Sequence, residues 1–227
     1  EMPSAHAFND DMKNKLIAEW SEIVRQKYNH PSIVVWVPFN ESWGIRGVRR
    51  NKEMQDFADA AYYLTKAYDS MRPVVTNDGW EHVKTDIVTV HNYEQNPERL
   101  NRAYCSRESA MSEGNAVRHQ KFVFSEGYRY DGQPVIISEY GGIAFMNGLS
   151  GDDWGYSAVA TEDDFCARFQ ALCDAIKRIG YVYGYCYTQF SDVWQEKNGL
   201  VTMDRKYKVD PAKICKINAE FPAEDIK

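Results

Sequence analysis

Short apolar runs alternate with amphipathic helical patterns along the chain, and this alternation narrows the fold more than any other feature. Residues 10–28, DDMKNKLIAEWSEIVRQKY, place Met12, Leu16, Ile17, Trp20, Ile23 and Val24 at helical spacing behind an Asp- and Asn-rich start. SIVVWVPF follows as a β-favouring run. NKEMQDFADAAYYLTKAYDS puts Met54, Phe57, Ala58, Ala61, Leu64 and Tyr68 on one helical face. RPVVTNDG and DIVTVHNY read as two further strands, and PVIISEYGG as a fourth. TEDDFCARFQALCDAIKRIG is an amphipathic helix opened by Thr161 and Asp164 as a capping-box pair and closed near Gly180. YGYCYTQFSDV is the last strand, and the tail from Trp194 reads as loop with one short helix. Residues 94–133 are polar and irregular, with room for short helices. The order α-β-α-β-β-(long loop)-β-α-β predicts an α/β fold, a parallel sheet covered by helices. Neither a repeat nor a linker interrupts it, so residues 1–227 are expected to form a single domain.

Polar groups fall at the same place in every strand. The first run ends in Asn40-Glu41-Ser42-Trp43, the second in Asn77-Asp78-Gly79-Trp80 and the third in His91-Asn92-Tyr93. The fourth ends in Ser138-Glu139-Tyr140, the last in Tyr187-Thr188-Gln189 with Asp192 beyond. In parallel α/β architectures the C-terminal strand ends open on one face, where ligands bind. Strand ends are also where any chain leaves its core, so one such residue means little; five strands behaving alike mean more. Two of the tips are carboxylates, Glu41 and Glu139, on otherwise uncharged runs. A facing pair of Glu residues suits glycosidic-bond cleavage: one gives a proton to the leaving oxygen while the other, ionised, attacks the anomeric carbon. A separation of about 5 Å goes with retention of configuration, and a wider gap of roughly 6.5–9.5 Å with inversion. Aromatic residues make up 14% of the chain, and Trp43 and Tyr140 adjoin the two Glu residues, which suits the C–H face of a sugar ring.

HPSIVVWVPFNES resembles the acid/base segment of the family 2 glycoside hydrolases, the group of β-galactosidases, β-glucuronidases and β-mannosidases. PVIISEYGG resembles that family's nucleophile segment, and GYCYTQFSDVWQEKNGLVTMDRKYK its last barrel strand and following loop, including NGL and DR. The resemblance covers almost the whole chain. It implies a partial (β/α)8 TIM barrel, strands 4–8 with their helices, in which EMPS at residues 1–4 corresponds to the segment just after strand 3. Strands 1–3 and two preceding β domains would be missing, so a truncated catalytic barrel is expected, its open edges covered by those N-terminal domains or by a second copy in a homo-oligomer. Glu41 becomes the acid/base, Glu139 the nucleophile and Asn40 the contact to the sugar 2-hydroxyl. Tyr93 or His91 would orient the nucleophile. Trp80 and Tyr187 are sugar platforms or, equally, core residues, and Gln189 and Asp192 are hydroxyl contacts. The implied activity is retaining exo hydrolysis of terminal β-linked sugars, β-galactosidase-like from the NES sequence, without a cofactor.

Other classes fit less well. Net charge is −6 with Lys and Arg scattered, which argues against nucleic acid and anionic membrane surfaces as partners. No apolar run approaches the roughly 20 residues of a membrane span. EMPSAHAFNDDMKNK has neither the basic start nor the apolar stretch of a signal peptide, and position 1 is not Met, which is the pattern of a fragment or processed form; the compartment stays open. His6, His30, His82, His91 and His119 form no zinc-binding sequence pattern, and no metal is expected. The five cysteines, Cys105, Cys166, Cys173, Cys186 and Cys215, contain no Cys-x-x-Cys pair and read as free, mostly buried thiols. Asn40-Glu41-Ser42 spells a glycosylation sequon, but at the expected active rim it reads as coincidence. A non-catalytic carbohydrate-binding or interaction fragment with an incomplete site is the alternative. A nucleotide-binding doubly wound protein ranks below it because no Gly-rich phosphate loop is present.

Overall fold

The computed structural model describes residues 2, 5–112, 116–118 and 121–219. Most of the EMPS segment and His119 therefore lie outside the described residues. The elements in chain order are α1 (Asp10–Lys27), β1 (Phe39–Asn40), α2 (Lys52–Tyr68), β2 (Asn77–Asp78), β3 (Val88–Asn92), α3 (Pro97–Ala103), α4 (Arg107–Met111), β4 (Ala116–Arg118), β5 (Lys121–Phe122), β6 (Val135–Gly141), β7 (Ile143–Phe145), β8 (Ser157–Val159), α5 (Glu162–Lys177), β9 (Val182–Thr188) and α6 (Pro211–Ala219). The fold is mixed α/β. Strands β1 and β2 pair in parallel, as do β7 and β8, and β3, β6 and β9 form a three-stranded sheet in the order β3-β6-β9. The chain divides into two compact units, Glu1–Val90 with Glu108–Ile136, and His91–Arg107 with Ile137–Lys227.

The first unit is organised by α1, α2 and the β1–β2 pair. Asn9 caps α1 by accepting the Met12 N–H at 2.9 Å, and Asn51 caps α2 by accepting that of Met54 at 3.2 Å. Leu16, Trp20 and Val24 form the buried stripe of α1, with Ile17 left exposed, and Ala58 and Ala61 let α2 approach closely. Trp20 and Trp36 meet edge to face at 5.9 Å. Each indole has a polar partner as well: Trp20 donates to Thr65 Oγ1 at 2.7 Å and Trp36 to Asp69 Oδ2 at 2.9 Å, so neither ring buries an unpaired N–H.

The run expected as one long strand is much shorter. Trp36–Val74, Phe39–Asn77 and Asn40–Asp78 share one parallel register, but only Phe39–Asn40 forms continuous strand. Pro38 supplies no N–H to the ladder, and Val34 faces outward. Pairing resumes at the tip, where Phe39 N–H reaches Thr76 C=O at 3.0 Å and Glu41 N–H reaches Asp78 C=O at 2.9 Å.

The second unit is built on α5. Thr161 and Asp164 form the reciprocal capping box, Asp164 N–H donating to Thr161 Oγ1 at 3.1 Å and Thr161 N–H to Asp164 Oδ2 at 3.2 Å. Phe165, Phe169, Leu172, Cys173 and Ile176 are buried along the helix. Tyr140 lies over this face, its hydroxyl 3.1 Å from Cys173 Sγ, and burial raises both groups above their ordinary pKa values. Helix α3 packs on α5, with Asn101 Nδ2 donating to Ala175 C=O at 3.0 Å. The irregular 94–133 stretch thus carries α3, α4 and the β4–β5 pair. The thiols also differ from expectation: all five are free, but Cys105, Cys186 and Cys215 are exposed and only Cys173 is fully buried.

Candidate active site

In the first unit, β1 ends at Asn40, and the chain then enters the left-handed region at two successive non-glycine residues, Glu41 with φ 51° and Ser42 with φ 60°. That conformation is uncommon for side-chain-bearing residues and persists only where neighbours enforce it. The enforcement is visible. Asn77 Oδ1 accepts the Ser42 N–H at 2.9 Å, and Asn77 Nδ2 donates to Ser42 Oγ at 3.0 Å and to Trp80 C=O at 2.6 Å. The Ser42 hydroxyl donates to Glu81 Oε2 at 2.7 Å. Glu81 is buried and is itself left-handed at φ 51°, and Lys121 Nζ stands 3.3 Å from its other oxygen.

Lys121 Nζ also lies 5.4 Å from the Trp80 ring centre. Trp80 is buried, so its surroundings match the core alternative for this residue. Glu41 is partly exposed. Asn40 Oδ1 is buried and accepts no hydrogen bond among the described residues, which leaves a polar acceptor waiting beside Glu41. Because Ser42 is fully buried and bonded, its hydroxyl is closed to a glycosylating enzyme in the folded chain.

In the second unit, Glu139 stands near the end of β6 with its side chain 24% exposed. Three of the expected residues meet here. Tyr93 donates its hydroxyl to Glu139 Oε2, and His91 Nδ1 lies 3.3 Å from the same oxygen. His91 is fully buried and Tyr93 nearly so. Burial first, then the Glu139 charge and hydrogen bond, push the Tyr93 pKa far above the ordinary tyrosine value, so the phenol stays a donor.

The Tyr93 ring stacks on Tyr156, centres 3.4 Å apart and planes within 1°. Gln95 ties this corner together: its Nε2 donates to Tyr93 C=O at 2.9 Å and Gly141 C=O at 2.6 Å, and its Oε1 accepts the Ser157 hydroxyl at 2.7 Å. Gly141 and Gly142, with φ of 86° and 66°, are required by rings: a Cβ on the first would overlap Tyr187 and on the second Tyr156.

Tyr187, Gln189 and Asp192 converge on the Asn198–Gly199 segment. The Tyr187 hydroxyl accepts the Ile143 N–H at 2.9 Å and donates to Asn198 C=O at 3.1 Å, while its ring meets Phe169 edge-on at 5.3 Å. Those contacts match the core alternative for Tyr187. Gln189 Nε2 donates to Asn198 Oδ1 at 3.1 Å. Asp192 Oδ1 accepts the Gly199 N–H and the Lys208 ammonium, each at 2.8 Å, and Asp192 borders a cavity of about 560 Å³ shared with Phe145, Lys197 and Met203. Gly199 lies so close to the Ser191–Asp192 backbone that any Cβ would overlap it. Tyr156 and Glu81 are neighbours of the candidate residues that sequence reasoning missed, and Ser42 and Asn77 were read only as polar strand ends. The one advance signal was the Gly141-Gly142 pair, which pointed to a close approach without naming the approaching ring.

Comparison with known proteins places this arrangement. Residues 2–216 match the family model described as "Glycosyl hydrolases family 2, TIM barrel domain". A search of curated proteins finds no match. Among solved structures, the chain is similar to an uncultured Clostridium β-glucuronidase, with 18% identity and a TM-score of 0.61 over 93% of this chain and 36% of that one. A β-D-glucuronidase for Dictyoglomus thermophilum gives 16% identity and a TM-score of 0.64 over 94% and 36%. A GH2 β-galacturonidase from Eisenbergiella tayi bound to galacturonate gives 16% and 0.63 over 92% and 38%. The chain thus spans little more than a third of the length of these structures, and at such identities the likeness is one of fold. With the family model covering nearly all of it, the chain belongs to the family 2 glycosyl hydrolases, within their TIM barrel domain.

Proposed function

We propose that this chain is the C-terminal part of the catalytic barrel of a retaining β-glycosidase, with Glu139 as nucleophile and Glu41 as acid/base. In this reading β1, β2, β3, β6 and β9 are strands 4–8 of one barrel domain, and strands 1–3 belong to chain outside this sequence or to a partner copy. The observation that carries it is the setting of Glu139: a partly exposed carboxylate whose Oε2 is held by Tyr93 and faced by His91. A nucleophile needs neighbours that fix its orientation toward the reacting carbon.

The chemistry runs in two balanced steps. A Glu139 oxygen bonds to the anomeric carbon as the bond to the aglycone breaks, and Glu41 gives its proton to the departing oxygen. Water then replaces Glu139 at the anomeric carbon while Glu41 takes a proton from it. Both carboxylates are regenerated and the configuration is retained, which calls for a separation of about 5 Å. Asn40 supplies an amide to the sugar 2-hydroxyl.

The substrate class is a β-linked terminal sugar. The NES sequence favours a β-galactoside, whereas the structural relatives named as glucuronidases and a galacturonidase favour a uronide. A panel of chromogenic β-galactosides, β-glucuronides, β-galacturonides and β-mannosides, assayed on the full-length polypeptide, separates the two. Glu139→Gln should reduce turnover by about 10⁴-fold or more. Sugar binding with no turnover by the unsubstituted protein would refute the hydrolase and leave a carbohydrate-binding fragment.

A further inference from the structure

Glu81 is a buried carboxylate that the reaction above does not use. Burying a charge is costly unless it is paired and hydrogen-bonded, so its contacts indicate what it is kept for. One oxygen faces Lys121 Nζ at 3.3 Å and the other accepts the Ser42 hydroxyl at 2.7 Å. Its own backbone is locked: Glu81 N–H donates to Phe122 C=O at 2.8 Å, and its C=O accepts the Ser125 hydroxyl at 2.8 Å. Glu81 is therefore a fixed post. Ser42 is held to it by side chain and to Asn77 by both backbone N–H and hydroxyl. Ser42 directly follows Glu41, and both are left-handed. These bonds add to the Glu41 N–H bond to Asp78 C=O in holding two residues with β-carbons in a region disfavoured by roughly 1–3 kcal/mol for each.

Resting on the reading of Glu41 as acid/base, we propose that Glu81, acting through Ser42 alongside Asn77, is a positioning residue that fixes the backbone of Glu41 and so aims its carboxyl at the glycosidic oxygen. The clamp touches no reacting atom. It sets the direction from which the proton is delivered. Its signature is selective, because proton delivery matters only when the leaving group is a poor one.

The test compares kcat/KM for an alkyl β-glycoside and a dinitrophenyl β-glycoside of the same sugar in the full-length enzyme, for Ser42→Ala and for Glu81→Gln. kcat/KM reports the first bond cleavage, and dinitrophenolate leaves without a proton. The clamp predicts a loss of about tenfold or more on the alkyl glycoside, a fraction of the 10²–10⁴ that general acid catalysis supplies, and less than about twofold on the dinitrophenyl glycoside. Equal losses on both substrates, or no loss on either, overturn it. A crystal structure of Ser42→Ala reads the clamp without turnover. Glu41 should leave the left-handed region, and its retention there overturns the proposal even if no glycoside is hydrolysed. Absence of turnover in the unsubstituted enzyme refutes the hydrolase reading separately. Ser42→Ala removes one small buried hydroxyl, so it keeps the test available if Glu81→Gln does not fold.

Discussion

Replacing Tyr93 by Phe removes one oxygen and little else. The ring keeps its stack on Tyr156, and the loop keeps its Gln95 tie to Gly141. What is lost is a hydrogen bond to an ionised carboxylate, worth about 1.5–3 kcal/mol, which converts to roughly 10- to 150-fold in rate. The step that bears the loss follows from charge. In the proposed mechanism Glu139 spends its charge when it attacks and regains it when water displaces it, so the Tyr93 donor favours departure of the carboxylate. Tyr93→Phe should therefore depress kcat for an activated aryl glycoside, where deglycosylation limits, by that factor, while kcat/KM falls much less. The glycosyl-enzyme should accumulate and appear in intact-protein mass spectrometry as one added sugar residue. The basic limb of the pH–rate profile should be the same in both proteins, because burial and the Glu139 charge keep the Tyr93 phenol protonated well beyond the ordinary tyrosine range. Equal losses in kcat and kcat/KM with no covalent intermediate would refute this reasoning.

Other consequences are simpler. Asn40→Ala should lower kcat/KM by about 10²-fold or more on a substrate with a 2-hydroxyl and far less on its 2-deoxy analogue, since that contact strengthens in the transition state by several kcal/mol. Asp69 is buried, which by itself would raise its pKa, but bonds from Trp36, Arg72 and the backbone of residues 71 and 72 outweigh burial and hold it at about 2. A depressed carboxyl stabilises the fold above its unfolded value near 4 and loses that contribution as pH falls through about 2. Denaturant titrations from pH 6 to pH 2 should show roughly 2 kcal/mol that Asp69→Asn no longer titrates. Gly199→Ala forces a methyl into the Ser191–Asp192 backbone and should cost about 1–3 kcal/mol in a thermal melt, and Thr161→Ala should cost about 1 kcal/mol by removing the α5 cap.

What could be read from the sequence was local in origin. The Thr161–Asp164 capping box is a short-range pattern, and α5 starts where it says. Helices α1 and α2 fall close to their predicted spans because apolar residues three and four apart need only one face to bury. Strands were harder. SIVVWVPF has strand composition, yet Pro38 removes a ladder donor and most of the run lies outside regular pairing. β7, which follows the Gly141-Gly142 pair, and β8 are three-residue strands, too short to show a period of two. Exposure of Cys186 and Cys215 was not legible: burial along β9 does not alternate strictly, and Cys215 is one residue off the stripe of Ile214 and Ile217.

The site divides along the same line. Glu41 and Glu139 stood out because each is a charge at the tip of an apolar run. Glu81 did not, because DGWEH looks like an ordinary polar turn. Only three-dimensional contacts show that one carboxylate of that turn is buried against Ser42 and Lys121 while its neighbours serve the backbone. A carboxylate that does chemistry needs access and so follows strand ends, whereas one that holds another residue in place must be enclosed by long-range partners. Sequence spacing carries the first kind of information and not the second. In this chain Glu41 and Glu139, with Tyr93 and His91 beside the second, were therefore legible, and the enclosed Glu81 was not.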